Sequence, residues 1–177
     1  MDLFGWSTAA TSYGISTSRK SADYSGDFKD WGTAIDNQGT WRTLSKDEWM
    51  YLLNTRAVNG GTGAGKSYQL ATINSDAKGV YGLIIYPDNY TAQTTAVTYT
   101  SEAWTAMEAA GCVFLPAAGY RDGSTVFRVG AEAICWSSSP DESCMAYFAC
   151  LNNATVGSGV RYDGFSVRLV KDVPAAE

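Results

Sequence analysis

Trp41-Arg42-Thr43-Leu44-Ser45-Lys46-Asp47-Glu48-Trp49-Met50-Tyr51, continued by Leu52-Leu53, contains the first clear helix of the chain. Ser45 followed three residues later by Glu48 is a capping-box pattern. The serine oxygen and the glutamate carboxylate each take a backbone N–H that a first helical turn leaves free. Trp49, Leu52 and Leu53 then fall at i, i+3 and i+4, which places one apolar stripe on the helix. Downstream, Ser67–Ile73 and Val80–Tyr86 read as two strands joined by an Asn74–Gly79 turn, and Pro87-Asp88-Asn89 closes that unit. A second helix runs from Ser101 to about Ala110, carrying Ala103, Trp104, Ala106 and Met107, with Gly111 at the left-handed position that ends it. Beyond it the chain breaks into short strands: Cys112–Leu115, stopped by Pro116, then Ile134–Ser138, Met145–Leu151 and Val167–Val170. Arg121-Asp122-Gly123-Ser124 reads as a turn. Upstream, residues 1–40 sustain no period, and their aromatics are expected to plug into a core built by later residues. Two early helices and several short antiparallel strands predict one α+β domain over residues 1–177, without alternating βαβ units. The expected core is Trp41, Trp49, Trp104, Phe114, Trp136 and Tyr147.

Composition narrows the function classes. Hydrophobic residues make up 45% and charged residues 18% of the 177 residues, a globular balance. The net charge is −5 and the Lys and Arg residues are scattered, so no basic stripe faces a row of phosphates and nucleic acid is not the expected partner. No apolar run reaches the ~20 residues that span a bilayer. The first six residues lack the basic and apolar regions of a signal peptide, so any leader or anchor is expected to lie outside this chain.

The chemical motifs each have a plain alternative. Gly60-Gly61-Thr62-Gly63-Ala64-Gly65-Lys66-Ser67 spells the phosphate-binding pattern G-x-x-x-x-G-K-S. That motif requires a strand before the loop and a helix after it, so that the helix N-terminus meets the phosphates. Here a capped helix precedes it and a strand follows, and the segment reads as a Gly-rich loop with no nucleotide partner. Histidine is absent, which excludes Ser-His-Asp catalysis and Cys/His zinc sites. Asp122, Asp141 and Asp163 do not form the dense oxygen spacing of a calcium loop, and no metal or other cofactor is expected. Cys112, Cys135, Cys144 and Cys150 contain no C-x-x-C pair, and the sequence leaves a disulfide among them open.

Two segments resemble a known superfamily. Trp41–Tyr51 is similar to the "R-L-P-T-E-A-E-W-E-Y" helix start of formylglycine-generating-enzyme-like proteins, and Gly164-Phe165-Ser166-Val167-Arg168-Leu169-Val170 resembles their terminal "G-F-R-V-V-R" strand. That superfamily is a variant of the C-type lectin fold. A closer resemblance is to domains of gut Bacteroidetes and their phages. It rests on Asp2-Leu3-Phe4-Gly5-Trp6, Trp41–Arg56, Phe114-Leu115-Pro116-Ala117-Ala118-Gly119-Tyr120-Arg121-Asp122-Gly123, Trp136-Ser137-Ser138-Ser139 and Ser166-Val167-Arg168-Leu169-Val170, and so runs through nearly the whole chain. Many such domains are variable proteins of diversity-generating retroelements, in which template adenines are randomised as they are copied into the 3′ end of the gene. The resemblance implies a C-type-lectin-like scaffold with a variable ligand-binding segment at about Trp136–Phe165. It also implies display on a cell surface or a phage particle, and a protein or glycan as the macromolecular partner. The Glu-Pro-Asn and Trp-Asn-Asp motifs of calcium-dependent lectins are absent, so calcium-mediated sugar binding is not implied.

The expected contacts are Asp141, Ser143, Cys144, Phe148, Cys150, Asn152, Asn153, Tyr162, Asp163 and Phe165. Strand alternation supports part of this set: Tyr147, Ala149 and Leu151 share one face, expected in the core. Ala146, Phe148, Cys150 and Asn152 share the other, expected in solvent, where apolar and aromatic side chains would form a contact patch. The alternative for this strand is burial on both faces between two layers. Two other functions stand beside the non-catalytic binding module. One is an oxidase of the formylglycine-generating type using Cys144 and Cys150, which requires the two sulfurs to converge. The other is a surface lectin or adhesin without diversification.

Overall fold

A strand near residue 41 pairs with the last strand. In the computed structural model, which describes residues 5–8, 17–35, 39–56, 58, 67–74, 78–91, 95–142 and 144–173, β1 (Trp41–Thr43) pairs antiparallel with β11 (Leu169–Lys171), Arg42 opposite Val170. Before β1 come a 3-10 turn at Ser21–Tyr24 and a one-turn helix, α1 (Gly32–Ile35). After it, α2 (Lys46–Met50) begins at the capping box read from the sequence. Ser45 Oγ accepts from the Glu48 N–H at 3.2 Å, and Glu48 Oε2 accepts from the Ser45 N–H at 2.8 Å. The helix then widens into a π turn over Tyr51–Thr55, closed by the Arg56 N–H donating to the Tyr51 carbonyl.

Two sheets carry the rest. β2 (Tyr68–Asn74) and β3 (Val80–Ile85) form the expected antiparallel pair, with β4 (Thr98–Thr100) parallel to β2 and β5 (Val113–Pro116) on the far side of β3, giving the order β4-β2-β3-β5. Between β4 and β5 lies α3 (Ser101–Ala109), capped by Thr100, whose hydroxyl accepts from the Ala103 N–H. Gly111 follows with φ +92°, the left-handed conformation that a side chain would disfavour. A small hairpin, β6 (Tyr120–Asp122) with β7 (Thr125–Phe127), precedes an antiparallel meander: β8 (Ile134–Pro140), β9 (Met145–Cys150) and β10 (Thr155–Val160), in the order β10-β9-β8.

Neighbouring residues on one strand point into different clusters. Leu83 packs with Trp49, Leu53, Leu115, Cys135, Ala149 and Leu151, between α2 and both sheets. Its neighbour Ile84 faces the opposite way, with Tyr86, Met107 and Cys112 under α3. A sheet covered on both faces needs apolar residues at consecutive positions, which Leu83-Ile84-Ile85 supplies. The meander behaves alike. Cys135 and Ala149 face the main core, whereas Trp136 and Ala146 face an aromatic cluster with Trp6 and Tyr24, flanked by Phe28, Phe148, Tyr162 and Phe165.

This corrects the expected open face of β9. Ala146 is fully buried, and Phe148 packs edge-on against Trp136 and Phe165, at 6.3 and 4.9 Å between ring centroids. Besides Trp136 and Phe165, the cluster on this face takes Trp6, Tyr24 and Phe28 from the N-terminal segment, far away in sequence, so strand period alone could not disclose it. Tyr147, expected in the core, is half-buried with the Lys46 ammonium 3.9 Å above its ring. Of the six expected core residues, Trp49 and Trp136 are buried, while Trp41, Trp104, Phe114 and Tyr147 are half-buried. Ser67 is buried at the start of the strand that follows the Gly-rich pattern; residues 60–66 of that pattern lie outside the described residues.

Candidate functional site

The segment Arg161–Ser166 is held as an extra edge between two sheets. Arg121 and Gly164 exchange both backbone hydrogen bonds, at 3.1 and 2.7 Å. On the other side, the Trp136 N–H donates to the Ser166 carbonyl and the Ser166 N–H to the Ile134 carbonyl, at 2.9 and 3.1 Å. Gly164 suits this position because a Cβ there would meet the Arg121 side chain at 3.0 Å. The indole Nε1–H of Trp136 donates to the Asp163 carbonyl at 3.2 Å, and that of Trp49 to the Trp136 carbonyl at 3.3 Å. Backbone satisfaction of this kind fixes the main chain without the side chains of Tyr162, Asp163 and Phe165, although Tyr162 and Phe165 also pack against the aromatic cluster.

These three side chains line a cleft of about 280 Å³ together with Trp6, Tyr24, Trp31, Arg121, Trp136 and Arg161. Phe165 lies 4.4 Å from Trp136 between ring centroids and meets Tyr120 edge-on at 5.7 Å. The ring of Phe148 backs this wall by resting over β10. The room for it comes from Gly157 and Gly159, where an added Cβ would approach the ring to 3.0 Å. The opposite wall is Trp6, stacked at an angle on Phe28 and edge-on to Trp136, at 5.0 and 5.7 Å.

Charge in the cleft is cationic with one carboxyl. Arg161 is anchored by its own backbone and side chain: Nε donates to the Met145 carbonyl at 2.8 Å, Nη1 to the Tyr24 carbonyl at 3.4 Å, and the guanidinium sits 4.9 Å above the Trp6 ring. Burial lowers its pKa, yet an arginine stays protonated at any physiological pH. Arg121 Nη1 donates to the Gly123 carbonyl at 2.7 Å. Among the described residues no carboxylate lies within ion-pair distance of Arg121 or Arg161, whereas Arg19, Arg42, Arg56 and Arg128 are each paired. Burial, reinforced by the neighbouring Asp122 carboxylate, raises the Asp163 carboxyl to about 6, against the opposing pull of Arg19 and Arg121.

The other expected contacts lie elsewhere. Asp141 and Cys144 sit in the turn before β9, Cys144 with φ +63° and its carbonyl accepting from the Arg161 N–H. The nearby Ser158 hydroxyl, ahead of the Glu142 N–H, holds the Asp141 carboxyl below its ordinary range. Ser143 lies outside the described residues. Cys150 ends β9 at its far side. Asn152 is a structural clamp, its Oδ1 accepting from the Ala133 N–H at 2.8 Å and its Nδ2 donating to the Ala131 carbonyl at 2.6 Å. Asn153 is exposed, with Oδ1 accepting from the Thr155 hydroxyl. So Tyr162, Asp163 and Phe165 converge, Phe148 supports them from behind, and the remainder are dispersed.

The two-cysteine centre does not form. Cys144 and Cys150 bracket the extended strand β9, and six residues at about 3.3 Å each separate them by roughly 20 Å. No disulfide joins the cysteines among the described residues, and burial raises Cys135 to about 12 and raises Cys112 as well. Among the described residues no three potential metal-ligating side chains gather.

Sequence reasoning missed Trp6, Tyr24, Trp31, Arg121 and Arg161 as cleft residues. Arg161 lay within the expected variable segment, and its pairing with a conspicuous aromatic run was the one available signal. The others come from distant segments. A second cleft, of about 410 Å³, opens between α2, β3, β5 and β11. Its Arg56 is committed to the Tyr86 carbonyl at 2.6 Å and the Asp88 carboxylate at 2.9 Å, and Arg168 and Lys171 add charge at its β11 edge.

No family model matches the chain, and no curated protein or solved structure is significantly similar to it.

Proposed function

We propose that this chain is a non-catalytic ligand-binding module, a C-type-lectin-like scaffold of the retroelement-diversified kind, displayed on a cell surface or a phage particle. One observation carries the reading. Tyr162, Asp163 and Phe165, inside the segment expected to vary, converge on a cleft while their main chain is pinned by β6 and β8. A fixed backbone with side chains free to change is what a binding surface needs if one scaffold is to serve many partners. The ligand is then a protein or glycan particular to this variant.

The reading also redraws the diversified set. Asn152 and Phe148 belong to the scaffold, because each fills a structural role that few residues could replace. Asp141, Asn153, Tyr162 and Asp163 remain as positions where change is tolerated. The test is a substitution library at these four positions and at Asn152, read by soluble yield and cooperative melting. Broad tolerance at the four with intolerance at Asn152 supports the module. Unfolding across the four removes the proposal. Flanking DNA tests diversification separately: a reverse-transcriptase gene and a near-copy of the 3′ end differing at adenines are expected. A locus with neither leaves an undiversified lectin or adhesin.

A further inference from the structure

Two of the three arginines without a carboxylate partner among the described residues, Arg121 and Arg161, line the same cleft. The third, Arg168, is exposed at the β11 edge of the second cleft, where no other arginine without a carboxylate partner joins it. In a chain of net charge −5, two guanidinium groups beyond ion-pair distance of any described carboxylate, against one partly buried carboxyl, give a concave surface that favours an anion. Both are oriented before any ligand arrives, Arg161 by two backbone carbonyls and the Trp6 ring, Arg121 by the Gly123 carbonyl. Each still has N–H donors without a protein acceptor among the described residues. That arrangement suits a planar carboxylate, which takes two parallel N–H bonds from one guanidinium.

The walls define the rest of the ligand. Trp6, Trp136 and Phe165 offer apolar ring faces of the kind on which a flat ring with C–H groups packs. At about 280 Å³ the cleft lies near the lower end of the ~300–1,000 Å³ range of small-molecule sites, room for one or two rings and too small for an extended peptide. Asp163 adds a carboxyl without a hydrogen-bond partner among the described residues, placed to accept from hydroxyl groups.

From these features we propose that the cleft binds the carboxylated terminal sugar of an acidic glycan. The carboxylate engages Arg121 and Arg161, a ring face packs on the tryptophans, and hydroxyl groups donate to Asp163. The proposal rests on the reading of the chain as a binding module and names the ligand class for that same site. Because Asp163 is raised to about 6, its negative charge diminishes below that pH, when the repulsion of an anionic ligand also falls. The charged groups around it are Asp122, Arg19, Arg121 and Arg161.

The experiment is a titration of the full chain, followed by ¹H–¹⁵N NMR at the indole Nε1–H signals of Trp6 and Trp136. The probes are a glucuronic-acid-terminated disaccharide, its neutral glucose-terminated counterpart, inorganic phosphate, and a tripeptide with an aromatic side chain and a free C-terminal carboxylate. The expected result is saturable shifts with the uronide, weakening at least about tenfold with the neutral sugar and with Arg121→Gln, as for loss of a charge-assisted hydrogen bond. Arg161→Lys, which keeps the charge near the carbonyl anchors, is expected to weaken binding less. Equal binding of both sugars, or no effect of Arg121→Gln, overturns the assignment of the carboxylate. Preference for phosphate or the tripeptide overturns the ligand class while leaving the module intact. Silence of both indoles with every probe overturns the cleft as a site for these ligands. The library outcome described above stands or falls independently of this titration.

Discussion

Replacing Asp163 by asparagine keeps the size and shape of the side chain, removes its charge and exchanges one acceptor oxygen for an NH2 donor. In the folded chain the carboxyl is raised to about 6, first by burial and then by Asp122, whereas an unfolded aspartate titrates near 3.9. A group whose folded pKa lies above its unfolded one favours the folded state in its protonated form. That contribution is complete below about pH 4 and is lost as pH rises through about 6. At pH 7.5 the ionised carboxylate therefore opposes folding, with an upper limit of about 3 kcal/mol at about 1.4 kcal/mol per tenfold change in proton affinity. Water reaches the half-buried side chain, and screening brings the figure to about 1 kcal/mol. For a domain of this length that corresponds to about 2–4 °C in melting temperature. Asp163→Asn is thus expected to melt about 3 °C higher than the parent at pH 7.5, with the gain shrinking below about 1 °C at pH 4. Scanning calorimetry at four or five pH values between 4 and 8 measures this directly. A gain of the same size at every pH, or a loss at pH 7.5, refutes the electrostatic reasoning. A carboxylate retained where it costs stability is also the signature expected of a group kept for binding.

Glu48 has the opposite sign. Arg42 holds it through two hydrogen bonds of 2.8 and 2.6 Å and brings it to about 2, with the Ser45 N–H adding a third. Its contribution is present above the ordinary glutamate range and is lost as pH falls toward 2. Glu48→Gln is expected to lower stability by about 1 kcal/mol at pH 7, with a deficit that shrinks as pH falls from about 4 toward 2 in urea titrations. Asn152→Ala removes both clamps on the 131–133 loop and is expected to lose about 2 kcal/mol, with faster hydrogen exchange at the Ala133 amide. Gly157→Val places carbon where the Phe148 ring rests and is expected to lose about 1–3 kcal/mol through overpacking, with a shift in tryptophan emission from displacement of the Trp136–Phe165 wall. An unchanged melting temperature in that variant would mean that the glycines of β10 do not make room for the ring.

Local chemistry was legible from residues close together in the chain. Ser45 and Glu48 are three residues apart, so the cap depended on nothing beyond its own turn, and Gly111 closed α3 for the same reason. The β2–β3 pair was readable because its turn and its apolar runs are contiguous. β9 shows where this reach ends. Its alternation separated Ala149 and Leu151 from Ala146 and Phe148 correctly, yet could not say that a second layer covers the latter pair. That layer is built by Trp6 and Tyr24, more than a hundred residues earlier. The Gly-Ser-Gly run in β10 carried no strand signal of its own, because its glycines exist to accommodate a ring from the neighbouring strand.

The candidate site divides along the same line. The sequence alone determined that Tyr162, Asp163 and Phe165 belong to a short polar-aromatic stretch beside the last strand, and that histidine chemistry is absent. Only the tertiary structure decided that Trp6, Arg121 and Arg161 stand around them, that Asn152 is a clamp, and that Cys144 and Cys150 lie at opposite ends of one strand. Caps and turns are governed by hydrogen bonds within a few residues. The cleft, by contrast, is made by segments that meet because each must bury its own apolar face.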